Sequence, residues 1–532
     1  MSTQTSDNNK RIAKNTGLLY LRMFILMFVS LYTSRIVLQQ LGVEDFGINN
    51  VVGGFVSILA FFTSSLSNVT QRFLNIGLGK GDIEKTTFYF RQSFTIMLFI
   101  SFLVLIVGET VGLWFVVNKL VIPHDRLIAA IFVYQFAVFS AICSIIQVSF
   151  IGAIVAREKM DAYAYLGLFE AFARLGIAFA LMFSSMDHLI LFGILTGLIS
   201  FCTTAFYICY AIKHFPECKC RLYYEKSLLR EMSQFVGVNL FGCLAWSAGV
   251  QGITIILNLF FGPIVNTARG IATQVCGIVM RFTDSIMTAV KPQIIKSYAT
   301  GDISYMEMLV EKSSKFSFFL VSFIAVPVII ECQRLLSIWL GQVPDYAVPF
   351  TRLVICEQIF NVFISPLWIV ANATGNIVRN QLYGRLFSLA SLPLSYLILR
   401  IAPNPIYPML VLVFANIAYW LYCVWDIHKQ VNLRYKKYLI DVILPSLSLI
   451  GLMVVFGLCC YEYIQIANSV LHIVVMTFLI DTMGAIVVLF LLQKQEKKYL
   501  YSFIYSKIRR KKGKRLRIYT LPFIVKVLTF AP

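Results

Sequence analysis

The chain has 532 residues, of which 58% are hydrophobic and 14% charged, and a formal net charge of +20. Soluble domains carry about 25% charged residues, and here many apolar runs of about 20 residues are each long enough to cross a bilayer, so the composition excludes a soluble protein and implies a polytopic membrane protein. The positive charge is no nucleic-acid footprint, because it gathers in alternate loops and in the C-terminal tail, as cytosolic segments do.

Residues 1–15 are polar and basic, and the apolar run behind them is too long for a signal-peptide core and lacks a small-residue cleavage site. Hydropathy then predicts about fourteen transmembrane helices, near 16–38, 46–67, 90–116, 127–152, 163–184, 188–211, 234–260, 264–289, 315–333, 347–371, 378–399, 405–427, 438–459 and 468–492. Lys10, Arg11 and Lys14 place the N-terminus in the cytosol. The inside loops follow with Arg72, Lys80, Lys85 and Arg91, then Arg157 and Lys159, then Lys213, Lys219, Arg221, Lys226 and Arg230. The pattern resumes with Lys291, Lys296, Lys312 and Lys315, then Arg379, then Lys429, Arg434, Lys436 and Lys437. Four basic residues fall on the outer side, Lys119, Arg126, Arg334 and Arg400. The tail, with Arg509-Arg510-Lys511-Lys512, is expected on anionic lipid headgroups, each basic residue contributing about 1 kcal/mol; a cytosolic partner is the alternative.

A weak repeat runs through the chain. Gly42 corresponds to Gly262 and Asp82 to Asp302 without a gap (262 − 42 = 220; 302 − 82 = 220), and Gly17, Ile36, Ile58, Phe62, Thr63, Ser65 and Gly81 also meet identical residues at that offset. Six spans separate the copies, so both halves enter the membrane in the same sense. The expected architecture is all-α: a six-helix bundle over 1–212, a cytosolic linker over 213–233, a second six-helix bundle over 234–428, two further transmembrane helices over 429–493 and a basic cytosolic tail over 494–532.

No phosphate loop, HExxH pair or metal-spaced histidine set is present in the sequence, so neither an enzyme nor a cofactor is expected. The twelve cysteines lie mostly in apolar runs, and Cys218-Lys219-Cys220 with His214 has no standard zinc spacing. Ionisable residues inside spans cost about 2.5–3.5 kcal/mol each on insertion scales, which makes them candidates for a substrate site. They are Arg22 and Arg35 in the first span, Glu170 and Arg174 in the fifth, Arg269, Arg281 and Asp284 in the eighth and Arg385 in the eleventh, with Glu357 in the tenth. The bland readings are snorkelling for Arg22 and Arg35, and mutual neutralisation for Glu170 with Arg174 and for Arg281 with Asp284. Asp426, Asp441 and Asp481 are placed near span ends. The cationic excess favours an anionic substrate, since guanidinium binds phosphate oxygens two at a time.

The first hundred positions, with Ser34-Arg35 closing the first span and the turn Leu41-Gly42-Val43-Glu44-Asp45-Phe46-Gly47 after it, resemble the polysaccharide biosynthesis flippases. These belong to the multidrug/oligosaccharidyl-lipid/polysaccharide (MOP) exporter superfamily, with the multidrug and toxic compound (MATE) exporters and the lipid II flippase. The resemblance implies two six-helix bundles forming a V-shaped cavity, alternating access, and a polyprenyl-diphosphate-linked oligosaccharide, such as an O-antigen, capsule or exopolysaccharide unit, turned from the cytosolic to the outer leaflet of a bacterial cell membrane. It also implies that Arg22, Arg35, Arg269 and Arg281 hold diphosphate and sugar, and polysaccharide polymerase machinery as a partner. A cation-coupled multidrug exporter, the lipid II flippase and a membrane polymerase or ligase are the alternatives.

Overall fold

The computed structural model describes residues 2–59, 82–157, 159–375, 379–493 and 496–497, with a few positions between 67 and 78; side chains are described from Ile25 onward except over 231–241 and at scattered further positions. The first element, α1 (Ser2–Leu59), is two helices broken at Gly42. Next come α2 (Ile83–Val107), joined through a π turn at Gly108–Gly112 to α3 (Leu113–Asn118), then α4 (Leu127–Ala156), α5 (Met160–Phe183) and α6 (His188–His214). Two long helices, α7 (Lys226–Phe261) and α8 (Pro263–Ala299), meet at Gly262. They are followed by α9 (Ile303–Ile330), the short α10 (Cys332–Leu340), α11 (Ala347–Thr374), α12 (Arg385–Ile401) and α13 (Ile406–Val431). The single-turn α14 (Tyr435–Tyr438) leads into α15 (Leu444–Tyr463) and α16 (Ser469–Leu491). Where helices restart, Asp82, Asp187, Asp302 and Asn468 cap them, each side chain accepting from a backbone N–H of the first turn.

Twelve helices among the described residues are long and apolar enough to cross a membrane. Two of the fourteen expected spans are not among them. The one near 264–289 is α8, whose Arg269, Arg281 and Asp284 and many polar residues keep it below that apolarity. The one near 46–67 continues α1 beyond Gly42 and runs into residues 60–66, which lie outside the described ones.

The repeat seen in the sequence has a backbone counterpart. Gly42 has φ 76° and ψ 174°, and Gly262 has φ 76° and ψ −170°, a conformation open essentially to glycine alone. Forty residues on, the likeness extends to hydrogen bonds. Asp82 N donates to Gly77 O at 3.1 Å and Asp302 N to Ser297 O at 3.0 Å, while the two carboxylates accept from Lys85 N and Tyr305 N.

The chain divides into two compact units, Met1–Gly270 with Ser388–Pro408, and Ile271–Phe387 with Met409–Pro532. In the first, α4 packs along α6 and α1 along α5, around Phe90, Phe150 and Tyr207. There α1 beyond its break lies close against the start of α8. Gly47 leaves room for the Pro263 carbonyl, where a Cβ would sit 1.9 Å from the oxygen, and Thr267 donates its hydroxyl to Val43 O. The two contacts are images of each other at the 220-residue offset, Gly47 with Pro263 and Val43 with Thr267.

In the second unit α9 is the central helix, packed against α11, α15 and α16, with Phe318 stacked on Phe363 at 4.6 Å. Its first half presents Glu307, Glu311 and Lys315, four residues apart and therefore on one face. Each is paired: Glu307 with Arg434 at 2.9 Å, Glu311 with Lys437 at 2.6 Å and Lys315 with Glu496 at 2.9 Å. Lys315 and Glu496 are both buried, so removing either would strand a charge away from water. The three pairs fasten the ends of the α14–α16 segment to α9.

Candidate substrate site

The ionisable residues expected inside spans, Arg22 and Arg35 apart, fall into three groups. The first is neutralised within its own helix. Arg174 donates through Nε and Nη2 to Glu170 Oε1 at 3.2 and 2.9 Å, one turn back along α5, and both side chains are exposed on the helix surface. Arg281 and Asp284 stand one turn apart on α8 and interact electrostatically.

A second group is spent on the fold. Arg269 is only 4% exposed, and its guanidinium donates to Thr254 Oγ1 at 3.0 Å and to Val250 O at 2.9 Å, tying α8 to α7 across the Gly262 break. Glu357, buried in α11, accepts from Asn416 Nδ2 at 3.3 Å and from Gln358. Arg35 is half-buried on α1, seven residues before Gly42. The side chain of Arg22 lies outside the described residues.

Arg385 is the third case. It begins α12 directly after a π turn, Asn380–Gly384, and its guanidinium lies 5.0 Å over the ring of Tyr419 on α13. The ring is itself fixed, its hydroxyl donating to Asn380 Oδ1 at 3.0 Å while Asn380 Nδ2 donates to Cys423 Sγ at 3.4 Å. Gly384 permits this packing, because a Cβ there would sit 2.6 Å from Tyr419. Among the described residues no carboxylate pairs with Arg385, and its Nε is buried with no hydrogen-bond partner. A guanidinium oriented by cation–π contact and free of an acid is suited to an anion.

Of the carboxylates expected near span ends, Asp426 lies near one and Asp481 does not. Asp426, expected near a span end, is fully buried on α13, 2.6 Å from Arg379 Nη2 and accepting from Gln430 at 2.9 Å. Asp481, expected likewise, is the thirteenth of the 23 residues of α16, midway along it, with one carboxyl oxygen buried and partnerless. The four basic residues that break the charge pattern each have a local partner. Arg126 lies between Asp45 and Asp187, donating Nε to Asp45 at 2.8 Å and Nη1 to Asp187 at 2.6 Å. Arg334 pairs with Glu331 at 3.2 Å, Lys119 lies 5.6 Å over Trp114, and Arg400 donates to the Tyr396 hydroxyl at 2.8 Å. Those exceptions were the only signal in the sequence that these groups are paired. Cys218 is buried and Cys220 exposed, and among the described residues no group of three His, Cys, Asp or Glu side chains is arranged to hold a metal.

No family model and no curated protein matches the chain. Solved structures do. The lipid II flippase MurJ in an inward closed conformation superposes with a TM-score of 0.63 at 13% identity, over 94% of this chain and 100% of its own. The fold is that of the MOP-superfamily transporters. An inward-facing MATE multidrug transporter gives a TM-score of 0.60 at 12% identity, over 78% of this chain and 99% of its own. A MOP-superfamily transporter from Pyrococcus furiosus, described by the reverse polarity of its binding pocket, gives 0.56 at 11% identity, over 80% and 96%. The flippase thus aligns with more of this chain than either of the other two does.

Proposed function

We propose that the protein is a bacterial membrane transporter that moves a polyprenyl-diphosphate-linked oligosaccharide from the cytosolic to the outer leaflet by alternating access, with both termini in the cytosol. The observation that carries this reading is Arg385, a guanidinium beside a membrane-spanning helix that is held by an aromatic ring and paired with no acid among the described residues. A diphosphate supplies the counter-charge. The fold shared with a lipid II flippase over 94% of the chain supports a lipid-linked substrate, and for the same reason lipid II is the second reading. A cation-coupled multidrug exporter would instead be expected to use unpaired acids at its site.

The test is the fate of lipid-linked intermediates in cells depleted of the protein. Lipid-linked oligosaccharide held on the cytosolic leaflet, with loss of surface glycan, is the expected result. Lipid II held there selects the second reading, and unchanged intermediates select the exporter.

A further inference from the structure

Glu331 joins α9 to α10, and His472 stands in the first turn of α16; neither side chain has any accessible surface. Glu331 Oε2 accepts from Arg334 Nη1 at 3.2 Å. Its other oxygen, Oε1, has no hydrogen-bond partner, and 3.3 Å away is His472 Nδ1, which has none either. On the far side of the ring, Nε2 is 3.0 Å from Ile464 O. A carbonyl only accepts, so a hydrogen on Nε2 satisfies that contact and leaves the Nδ1 lone pair facing a carboxylate oxygen; the other tautomer leaves Nε2 facing the carbonyl instead. Either neutral ring opposes a lone pair to an oxygen in a place water does not reach. One added proton removes that opposition, on Nδ1 as an ion pair with Oε1 at 3.3 Å or on the carboxyl as an O–H facing the ring nitrogen.

A solvent-filled pocket lies close to the pair. A pocket of about 820 Å³ is lined by Arg334, Tyr461, Glu462 and Gln465 among others. The Arg334 guanidinium lies 4.7 Å over the Tyr461 ring, whose centroid is 5.9 Å from that of His472 in an edge-on arrangement. One layer of side chains therefore separates the pocket from the pair. The charged and titratable groups around it are Glu331 and Arg334 from α9 and α10, Arg352 from α11 (Nε to Ile329 O at 3.0 Å), and Tyr461 and Glu462 from α15. Asp481 follows nine residues later on α16, roughly 14 Å along the axis.

We infer that Glu331 and His472 form a proton-binding site, and that the bound proton fastens the first turn of α16 to the α9–α10 junction. A hydronium ion in the pocket gives its proton to the pair, forming one N–H or O–H bond as one O–H bond breaks, and water returns to the pocket. On the transport reading above, this makes α16 the helix through which a proton gradient acts.

The test uses the full-length protein in lipid nanodiscs with no substrate, so it stands apart from the substrate question. Histidine nitrogen resonances, infrared carboxylic-acid bands and backbone amide exchange are followed between about pH 5 and 8. His472→Gln identifies the His472 resonance among the five histidines. The expected result is a fully protonated imidazole or a Glu331 acid band that forms as pH falls, with amide protection over 470–473, taken against the intrinsic exchange rate at each pH, rising roughly tenfold, the worth of one charged hydrogen bond. In Glu331→Gln that rise in protection is absent, and this variant with the unmutated protein decides the matter even if His472→Gln does not fold. A neutral imidazole with an ionised carboxyl across the whole range, or amide protection over 470–473 that stays constant with pH in the unmutated protein, overturns the site. A site that passes while lipid-linked intermediates are unchanged by depletion leaves the proton site standing and removes only the flippase reading.

Discussion

Gly42 and Gly262 share a backbone conformation and differ in what holds it. Around Gly42 the main fastening is ionic, with neutral hydrogen bonds beside it. Arg126 spans Asp45 and Asp187, and His188 Nδ1 donates to Gln40 O at 2.8 Å on the other side of the break. Around Gly262, besides the Arg269 guanidinium that ties α8 to α7, they are amide-based: Asn258 accepts from Val121 N at 2.8 Å and donates to Val121 O at 3.2 Å, while Gly262 N donates to Asn258 O at 2.8 Å. Both sets reach the same stretch of chain, since Val121 and Arg126 lie in the connection between α3 and α4. The repeat keeps the break and leaves each copy its own clasp, because φ and ψ are fixed by one glycine whereas a clasp needs only some donor within reach.

The largest effects should come from the glycines. Gly42→Ala and Gly262→Ala each force a Cβ into a backbone region that L-residues avoid, although both sites have open space around them. Each should cost about 1–3 kcal/mol, and the two costs should agree. Denaturant midpoints of the purified variants measure this, and an inequality beyond about 1 kcal/mol would mean that the two breaks bear different strain.

Next come the clasps. Arg126→Ala leaves two carboxylates facing each other and should cost roughly 1–3 kcal/mol, with the loss shrinking in concentrated salt. Asn258→Ala should cost roughly 1–2 kcal/mol with no dependence on salt, because Val121 loses neutral partners only. Unfolding measured at low and high ionic strength separates the two.

A pH series sharpens the contrast. Burial pushes the Asp187 carboxyl up, but hydrogen bonds from Arg126, Ile190 N and Leu189 N outweigh it and hold the group below its ordinary value. A carboxyl lowered in the folded state adds stability above its unfolded value of about 3.9 and loses it as pH falls through the folded one. The gap between the unmutated protein and Arg126→Ala should therefore narrow as pH falls through the carboxylate range, while the gap to Asn258→Ala should stay constant. The smallest effect concerns the caps. Asp82→Ala and Asp302→Ala should each cost about 1 kcal/mol and match one another, read from unfolding midpoints.

Much of this was legible in one dimension. Gly42 with Gly262 and Asp82 with Asp302 were visible as a repeat because glycine and a capping aspartate are the residues a break and a helix start require locally. The pairing of Glu170 with Arg174 was also open to reading, since a four-residue spacing places both on one helix face. The role of Arg269 was not. Its partners, Thr254 and Val250 O, are reached only because the chain doubles back at Gly262, and nothing in the sequence tells a guanidinium aimed at a cavity from one bonded to the preceding helix. Arg385 shows the same limit, because the contact that orients it comes from Tyr419, on the helix that follows its own.

By itself, then, the sequence determined what depends on local covalent chemistry and on solvent: that the chain is helical and crosses a membrane many times, where its helices break and start, and that two copies of one plan are present. Only the tertiary structure decided which charges are cancelled and which are left over. Hydropathy sums over neighbours along the chain, whereas an ion pair such as Arg379 with Asp426 or Lys315 with Glu496 is made across space, and in a protein with little surrounding water that distinction separates a structural charge from a functional one.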